Sequence, residues 1–506
     1  MMSTAACPAD KSSTARAVLA VAAVGFASWA YAVSPLHGLS SGDELVPVLA
    51  STQHLSLFYW GADRFGMLLP LLAHGIRDPF LNLVVQNFLS AFLAFSSFFA
   101  ACRFFFGKTD WLAAGAAMTL VALLWPPLEP RGDYLSIGQS FAPSAALLFA
   151  GLPLLGIGRD NTAGEPVQPV RMLAGLGLVC GSFWVNLAMF FTALPLALGS
   201  CFLGGTPAQG GPEWGRRVRR SLWAGGLTVL ALAVNMLLMR IFAARYATAD
   251  YGYLPLPLWP EALAAIAARF VALFYSNPGR NAVLAGLALA SGAALFRLWR
   301  KTASSRPEIV PFLAAACLVV AASLANYLGY GTNAWVRINH SEGRYLSMVQ
   351  FLATGLVCGA AAMTFRLVLG NRLKILTISL VVLIAPVSVG SYGLPSPARL
   401  EEALDRRLGV YATRILELGC THVAGNYWKV WPLIFHANVL RHGQGGRPLW
   451  GVSYRSENTA DLWAERVAGP WRVCTLRGDA EANAYLEQFE LREIERVEMD
   501  GPHFAH

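Results

Sequence analysis

Two adjacent carboxylates, Asp43 and Glu44, stand in the stretch LSSGDELVP (39–47), directly after an apolar segment. A carboxylate held beside a hydroxyl can take its proton as the oxygen attacks, which is general-base chemistry. The same residues also suit a helix start. Ser41-Gly42-Asp43-Glu44 fits the capping box, in which a Ser and a Glu three residues on each satisfy an orphan backbone amide. Pro47 speaks against that register, because it would place a residue lacking an N–H inside the helix. A start at Asp43 or Glu44 brings Pro47 to the first turn or its edge and makes Asp43 the cap. Capping accounts for one carboxylate of the pair, not both.

Three other segments carry charge and aromatic rings together. YWGADRFG (59–66) holds Asp63 and Arg64, and EPRGDY (129–134) holds Glu129, Arg131 and Asp133. RINHSEGRY (337–345) holds Arg337, His340, Glu342, Arg344 and Tyr345. Guanidinium groups hold a leaving phosphate through paired charge-assisted hydrogen bonds. Aromatic faces stack on sugar rings. Membrane helices can admit a lipid tail from the side.

The elements that must position these groups are helices in a membrane. The 506-residue chain is 55% hydrophobic and 14% charged, where soluble domains carry roughly a quarter charged residues. Its mean hydropathy is +0.47. Charges bracket apolar runs at about 17–33, 78–103, 110–129 and 133–159. Residues 172–212 carry no charge at all, about twice the length of one crossing, and read as a hairpin turning near Trp184–Asn186. Further spans fit at 221–242, 279–298, 309–329, 345–366 and 375–392. The expectation is an α-helical polytopic membrane protein of about eleven transmembrane helices with a C-terminal soluble α/β domain.

Lysines and arginines set the sidedness. Arg216, Arg217, Arg219 and Arg220, then Arg297, Arg300, Lys301 and Arg306, then Arg366, Arg372 and Lys374 fall on one side with Lys11, Arg16, Arg103 and Lys108. That side is expected to be cytoplasmic, including the N-terminus. The loops at 34–78, 128–140, 243–278 and 330–344 then face outward with the tail. The net charge of +9 is this topogenic signal, so nucleic acid is not an expected partner. Lys11, Arg16, an apolar core and Ala30-Tyr31-Ala32 also resemble a cleavable signal peptide, as first spans often do, with the same sidedness downstream. Cys102, Cys180, Cys201, Cys317 and Cys358 lie in or beside spans, where they pack. Cys420 and Cys474 fall in the tail, where an oxidising compartment permits a disulfide.

Residues 1–392 thus read as the membrane domain. Within it Pro47–Tyr59, Phe65–His74 and Glu261–Phe274 suit helices lying in the membrane interface. Residues 393–506 change character after Gly393-Leu394-Pro395-Ser396-Pro397. Strand-like LWGVSY (449–454), WRVCTL (471–476) and 491–498 alternate with helical patterns over 398–418, 429–440, 457–468 and 480–489. That alternation suggests a mainly parallel sheet. No dinucleotide or P-loop fingerprint occurs.

The sequence resembles the GT-C superfamily of integral-membrane glycosyltransferases. The resemblance rests on the acidic GDE in the first external loop, WGADRFGMLLPLL (60–72) after it, the hairpin AGLGLVCGSFWVNLAMFFTALPLAL (174–198), GRYLSM (343–348), and a soluble external C-terminal domain. The chain departs from many relatives in having Asn186 where a lysine often occurs near the turn. The resemblance implies transfer of a sugar from a polyprenyl-phosphate donor to a lipid- or glycan-linked acceptor at the outer face of the bacterial inner membrane, with inversion. Asp43 carries over as the base and Glu44 is its rival. Asp133 orients the acceptor or, with Asp43, a divalent ion. Carboxylates favour Mg²⁺ or Mn²⁺, although many relatives need no metal. Arg64, Arg131, Arg337 and Arg344 are phosphate candidates, Tyr345 lies beside them, and His340 reads as a local hydrogen-bonding residue.

Two other readings stay open. A transporter or flippase would favour charged or broken helices at the midplane, whereas these spans are nearly free of charge. An O-antigen polymerase or ligase, using a glycan on lipid pyrophosphate, also relies on external arginines. The early acidic loop and the large tail fit it less well.

Overall fold

Helix α1 (Lys11–Ala32) has no polar face, as suits a segment with lipid or packed helices on all sides. It belongs to a computed structural model that describes residues 11–124, 134–159, 168–204, 212–242, 252–301, 306–454, 471–488 and 494–500, except 61, 63, 64, 139, 277, 341 and 342. Two short helices follow, α2 (Gly42–Thr52) and α3 (Leu68–Ala73). Then comes α4 (Pro79–Leu123), started by Pro79 with Asp78 as its cap. Two of the expected spans are halves of α4, separated at Gly107, whose φ of 69° breaks the helical run. Glycine adopts that conformation without a Cβ penalty.

The bundle continues through α5 (Phe141–Leu154), α6 (Pro169–Val185), α7 (Phe190–Gly199) and α8 (Pro212–Phe242). Next are α9 (Trp259–Ser276), α10 (Pro278–Lys301), α11 (Arg306–Gly331), the one-turn α12 (Ala334–Ile338), α13 (Ser347–Leu369) and α14 (Leu373–Tyr392). In each of the eleven segments read as a span the described residues are mainly helical. Among the described residues, 7 helices are long and apolar enough to cross a membrane, and four more apolar ones are shorter. Helix α4 is the hub and packs on α1, α5, α13 and α14. Phe98, Tyr134, Phe149 and Phe351 meet there ring to ring, the kind of shape packing that holds helices together where lipid removes any hydrophobic drive.

The tail opens with α15 (Pro397–Glu417), whose apolar stripe Leu400, Leu404 and Leu408 is buried. After it come β1 (His422–Ala424), α16 (Tyr427–His442), β2 (Trp450–Val452), β3 (Trp471–Leu476), α17 (Ala480–Gln488) and β4 (Ile494–Met499). The four strands form one parallel sheet in the order β2-β1-β3-β4, as the alternation of strand and helix requires. Cys420, just before β1, and Cys474 in β3 are joined by a disulfide, Cα to Cα 5.9 Å. The expected helix near 457–468 lies outside the described residues.

The tail does not keep a core to itself. Helix α15 lies on the turn Pro35–Leu39, and α16 lies on α2. Leu45, Leu49 and Trp60 share one apolar cluster with Leu400, Leu404 and Trp431, and the Trp60 and Trp431 rings stand 5.9 Å apart. This corrects the expected interfacial helix at Pro47–Tyr59. Its residues Val48, Leu49 and Ala50 are fully buried by protein, because α16 covers the face that lipid would have taken. Helices α3 and α9 do leave apolar side chains exposed, among them Leu71, Leu72 and Val271.

Candidate active site

The first turn of α2 separates the two carboxylates. Ser41 is the cap, and Ser41 and Glu44 close the capping box, the Ser41 amide donating to Glu44 Oε2 at 2.9 Å. The expectation that Pro47 would exclude this register is wrong, and the reason is local. A proline at 47 leaves the Asp43 carbonyl without its helical donor. The Tyr59 hydroxyl supplies one instead, at 3.1 Å. Asp43 is therefore not the cap.

Glu44 points inward. Its other oxygen accepts from the Ser136 hydroxyl at 3.2 Å, and burial raises its pKa while the Ser41 and Ser136 hydrogen bonds pull the other way. Gly138 lies so close that a Cβ there would collide with the Asp43 carbonyl and the Glu44 amide. Glu44 thus clamps the helix start to the 136–138 loop.

Asp43 points the opposite way, into a cavity of about 1110 Å³. The Tyr427 hydroxyl donates to its Oδ1 at 2.7 Å, and Arg344 Nη1 stands 3.8 Å from its Oδ2. Tyr427 and Tyr59 are in turn linked, hydroxyl to hydroxyl, at 3.3 Å. Tyr427 owes its place to the start of α16. Asn426 caps that helix by accepting from the Trp428 amide, and its own amide donates to Asp479 at 2.7 Å. The Tyr427 ring then packs on Gly42, where any Cβ would strike it. Arg344 sits in a 3-10 turn (Gly343–Leu346) at the head of α13, its guanidinium 5.3 Å from the Tyr345 ring.

The cavity has two unlike arms. Toward the tail it is lined by Asn426, Trp428, Tyr454, Glu481 and Tyr485. Burial and the nearby Glu481 push the Tyr485 phenol up to about 12. Toward the bundle it is lined by Phe190, Phe191, Leu232, Met236 and Met239 on α7 and α8, with Arg240 at its edge. One arm suits a hydroxyl-rich ring and the other a hydrocarbon chain.

Of the residues singled out from sequence, Asp43, Arg344 and Tyr345 come together here. Glu44 lies behind them. Arg337 pairs instead with Glu261 at 3.0 Å on the surface. His340 occupies a left-handed turn, φ 53°, and does not line the cavity, although Asn339 does. Arg64, Arg131 and Asp133 lie outside the described residues. Asn186 lines the cavity and bonds Tyr330. Among the described residues no three Asp, Glu, His or Cys side chains gather as a metal would need. The charged group beside Asp43 among the described residues is the Arg344 guanidinium, and Asp133, the second carboxylate expected to hold Mg²⁺ or Mn²⁺, lies outside them.

Sequence reasoning missed Tyr427, Tyr59, Tyr454, Tyr485 and Arg240. The aromatic density of NYWKVW was visible, but an apolar helix on a sheet explains it equally well. An Asn cap before a Tyr was the signal available for Tyr427.

No protein-family model and no curated protein matches the chain. Among solved structures it is similar to the crystal structure of ArnT from Cupriavidus metallidurans bound to undecaprenyl phosphate, with 13% sequence identity, coverage of 90% of this chain and 89% of that one, and a TM-score of 0.48. A likeness of that degree is one of outline.

Proposed function

We propose that the protein transfers a sugar from a polyprenyl-phosphate donor to a hydroxyl of a lipid- or glycan-linked envelope acceptor, with Asp43 as general base. The single observation that carries this is the Asp43 carboxylate in a cavity that has a polar aromatic arm and an apolar arm between α7 and α8. In the reaction the acceptor hydroxyl gives its proton to Asp43, and its oxygen forms the new bond to the anomeric carbon from the face opposite the phosphate. The bond from that carbon to the phosphate oxygen breaks, and its electron pair leaves on the polyprenyl phosphate. Arg344 lines the same cavity and is the cation proposed to neutralise that charge. Configuration inverts. Glu44 is a poor base here because both its oxygens are engaged in holding the loop. The cationic loops support an orientation with the Asp43 face and the tail outside, which in a bacterial inner membrane is the periplasm.

The test is mass spectrometry of envelope glycans and polyprenyl-phosphate sugars from cells lacking the gene, complemented with wild type or Asp43→Asn at equal abundance. Loss of one sugar mass from an acceptor, accumulation of its donor and rescue by wild type alone support the reading. Rescue by Asp43→Asn removes Asp43 as base. No glycan change at all removes the transferase.

A further inference from the structure

A second cleft, of about 460 Å³, opens between α1, α4 and α5 at the other end of the bundle. Helix α5 joins the two places. Ser140 and Phe141 at its start line the Asp43 cavity, and Pro153 with Ile157–Arg159 beyond its end line this cleft. The walls are apolar, with Val21 and Val24 from α1, Phe92 from α4 and Phe149 from α5. Arg103, Arg159 and the Trp111 indole complete the lining.

The backbone is shaped to put those cations there. Beside the break at Gly107, the Phe104 carbonyl accepts the Arg159 amide at 3.1 Å. Gly158 makes the approach possible. Its φ of 108° is one that side-chain-bearing residues rarely adopt, and a Cβ there would press on the Phe104 ring at 3.1 Å. Arg103 stands with its guanidinium 5.6 Å from the Trp111 ring. The carboxylate of Asp110, next to Trp111 in the chain, pairs with Arg366 of α13 at 2.8 Å.

We propose that this cleft binds an acidic glycerophospholipid, with its phosphate on Arg103 and Arg159 and an acyl chain along the α1–α4–α5 wall. Its volume is in the range of ordinary ligand pockets, and basic pockets between membrane helices recognise acidic headgroups. Two guanidinium groups attract a lipid of net negative charge. A zwitterionic lipid with the same chains brings a compensating cation, so the acyl wall alone would not select between them. Trp111 is the amphipathic ring expected at headgroup level. This site is independent of the chemistry at Asp43.

The experiment is native mass spectrometry of the full chain in detergent with equal phosphatidylglycerol and phosphatidylcholine of identical chains. The expected result is selective retention of phosphatidylglycerol, falling about fivefold for each guanidinium removed in Arg103→Gln and Arg159→Gln. Arg337→Gln, at the other end of the molecule, should leave the selectivity unchanged. Equal retention of both lipids by wild type, or selectivity that survives the double variant, overturns the proposal. If the double variant does not fold, a phosphatidylglycerol with a photoreactive acyl chain is applied to wild type. Crosslinks at residues 17–24, 92–104 or 149–159 support the site, and crosslinks confined to helices other than α1, α4 and α5 overturn it.

Discussion

Tyr427→Phe removes one oxygen from the tail and leaves the ring in place against Gly42 and edge-on to Trp431, 6.4 Å away. What is lost is the 2.7 Å hydrogen bond to Asp43, together with the longer 3.3 Å link to the Tyr59 hydroxyl. Arg344, at 3.8 Å, is too distant to replace it as a hydrogen bond. Bonds to charged groups contribute about 1.5–3 kcal/mol. If that much positioning of the base is lost at the transition state, kcat falls roughly ten- to a hundredfold at 1.36 kcal/mol per decade. KM for the donor should hold, since neither the apolar arm nor Arg344 is altered. Once the glycan masses identify the sugar, initial rates in reconstituted vesicles give both constants. Adding Tyr427→Phe to Asp43→Asn should cost nothing further, because the hydroxyl acts through the carboxylate. A Tyr427→Phe enzyme within twofold of wild type, beside an inactive Asp43→Asn enzyme, would refute the positioning role while leaving the base intact.

Two predictions concern stability. Burial lowers the His422 pKa to about 3, with the ring stacked on Trp471 at 4.0 Å and bonded to Thr421 at 2.7 Å. Since the folded value lies below the ordinary 6.5, the unfolded chain binds the extra proton between those values. His422 therefore costs the tail about 1.4 kcal/mol per pH unit as pH falls below 6.5, down to about 3. Limited proteolysis of the tail across that range should accelerate in wild type and less so in His422→Gln. At the opposite end, Asp110 is 1% exposed and paired with Arg366 at 2.8 Å. Asp110→Ala should lower the melting stability of the purified protein by about 3–5 kcal/mol, and Asp110→Ala with Arg366→Met by less, because an uncompensated buried charge is the costly state. Equal losses in the two variants would contradict that account.

The helices were legible because lipid imposes length and apolarity, signals that survive without tertiary context. The parallel sheet was legible from alternating strands and helices. The break at Gly107 was legible as the charged gap between the spans ending at Arg103 and starting at Asp110, but the joining of the two halves into one bent helix was not. Nor was the burial of α2, whose mixed faces look the same whether they meet lipid or α16. The site was legible in half. Asp43 and Arg344 announce themselves by charge in loops of a charge-poor chain, whereas the tyrosines resemble the aromatic residues that fill cores. Arg337 carries the same charge as Arg344, and its Glu261 partner, 76 residues away in the chain, gave no sign in sequence of capturing it.

The pair at 43–44 is best understood through Pro47. A helix with an ordinary residue there would satisfy the Asp43 carbonyl internally, and nothing would require Tyr59. With proline, the carbonyl needs an outside donor, and Tyr59 meets it while also touching the Tyr427 hydroxyl. The backbone and the side chain of Asp43 are thus held by two linked phenols, one from the first loop and one from the tail. Glu44 secures the same turn from behind. Since Trp60 and Trp431 pack together just below, the burial that docks the tail also sets where the Asp43 carboxylate points. A change that loosens that packing should disturb the site even when it leaves every residue of the cavity untouched.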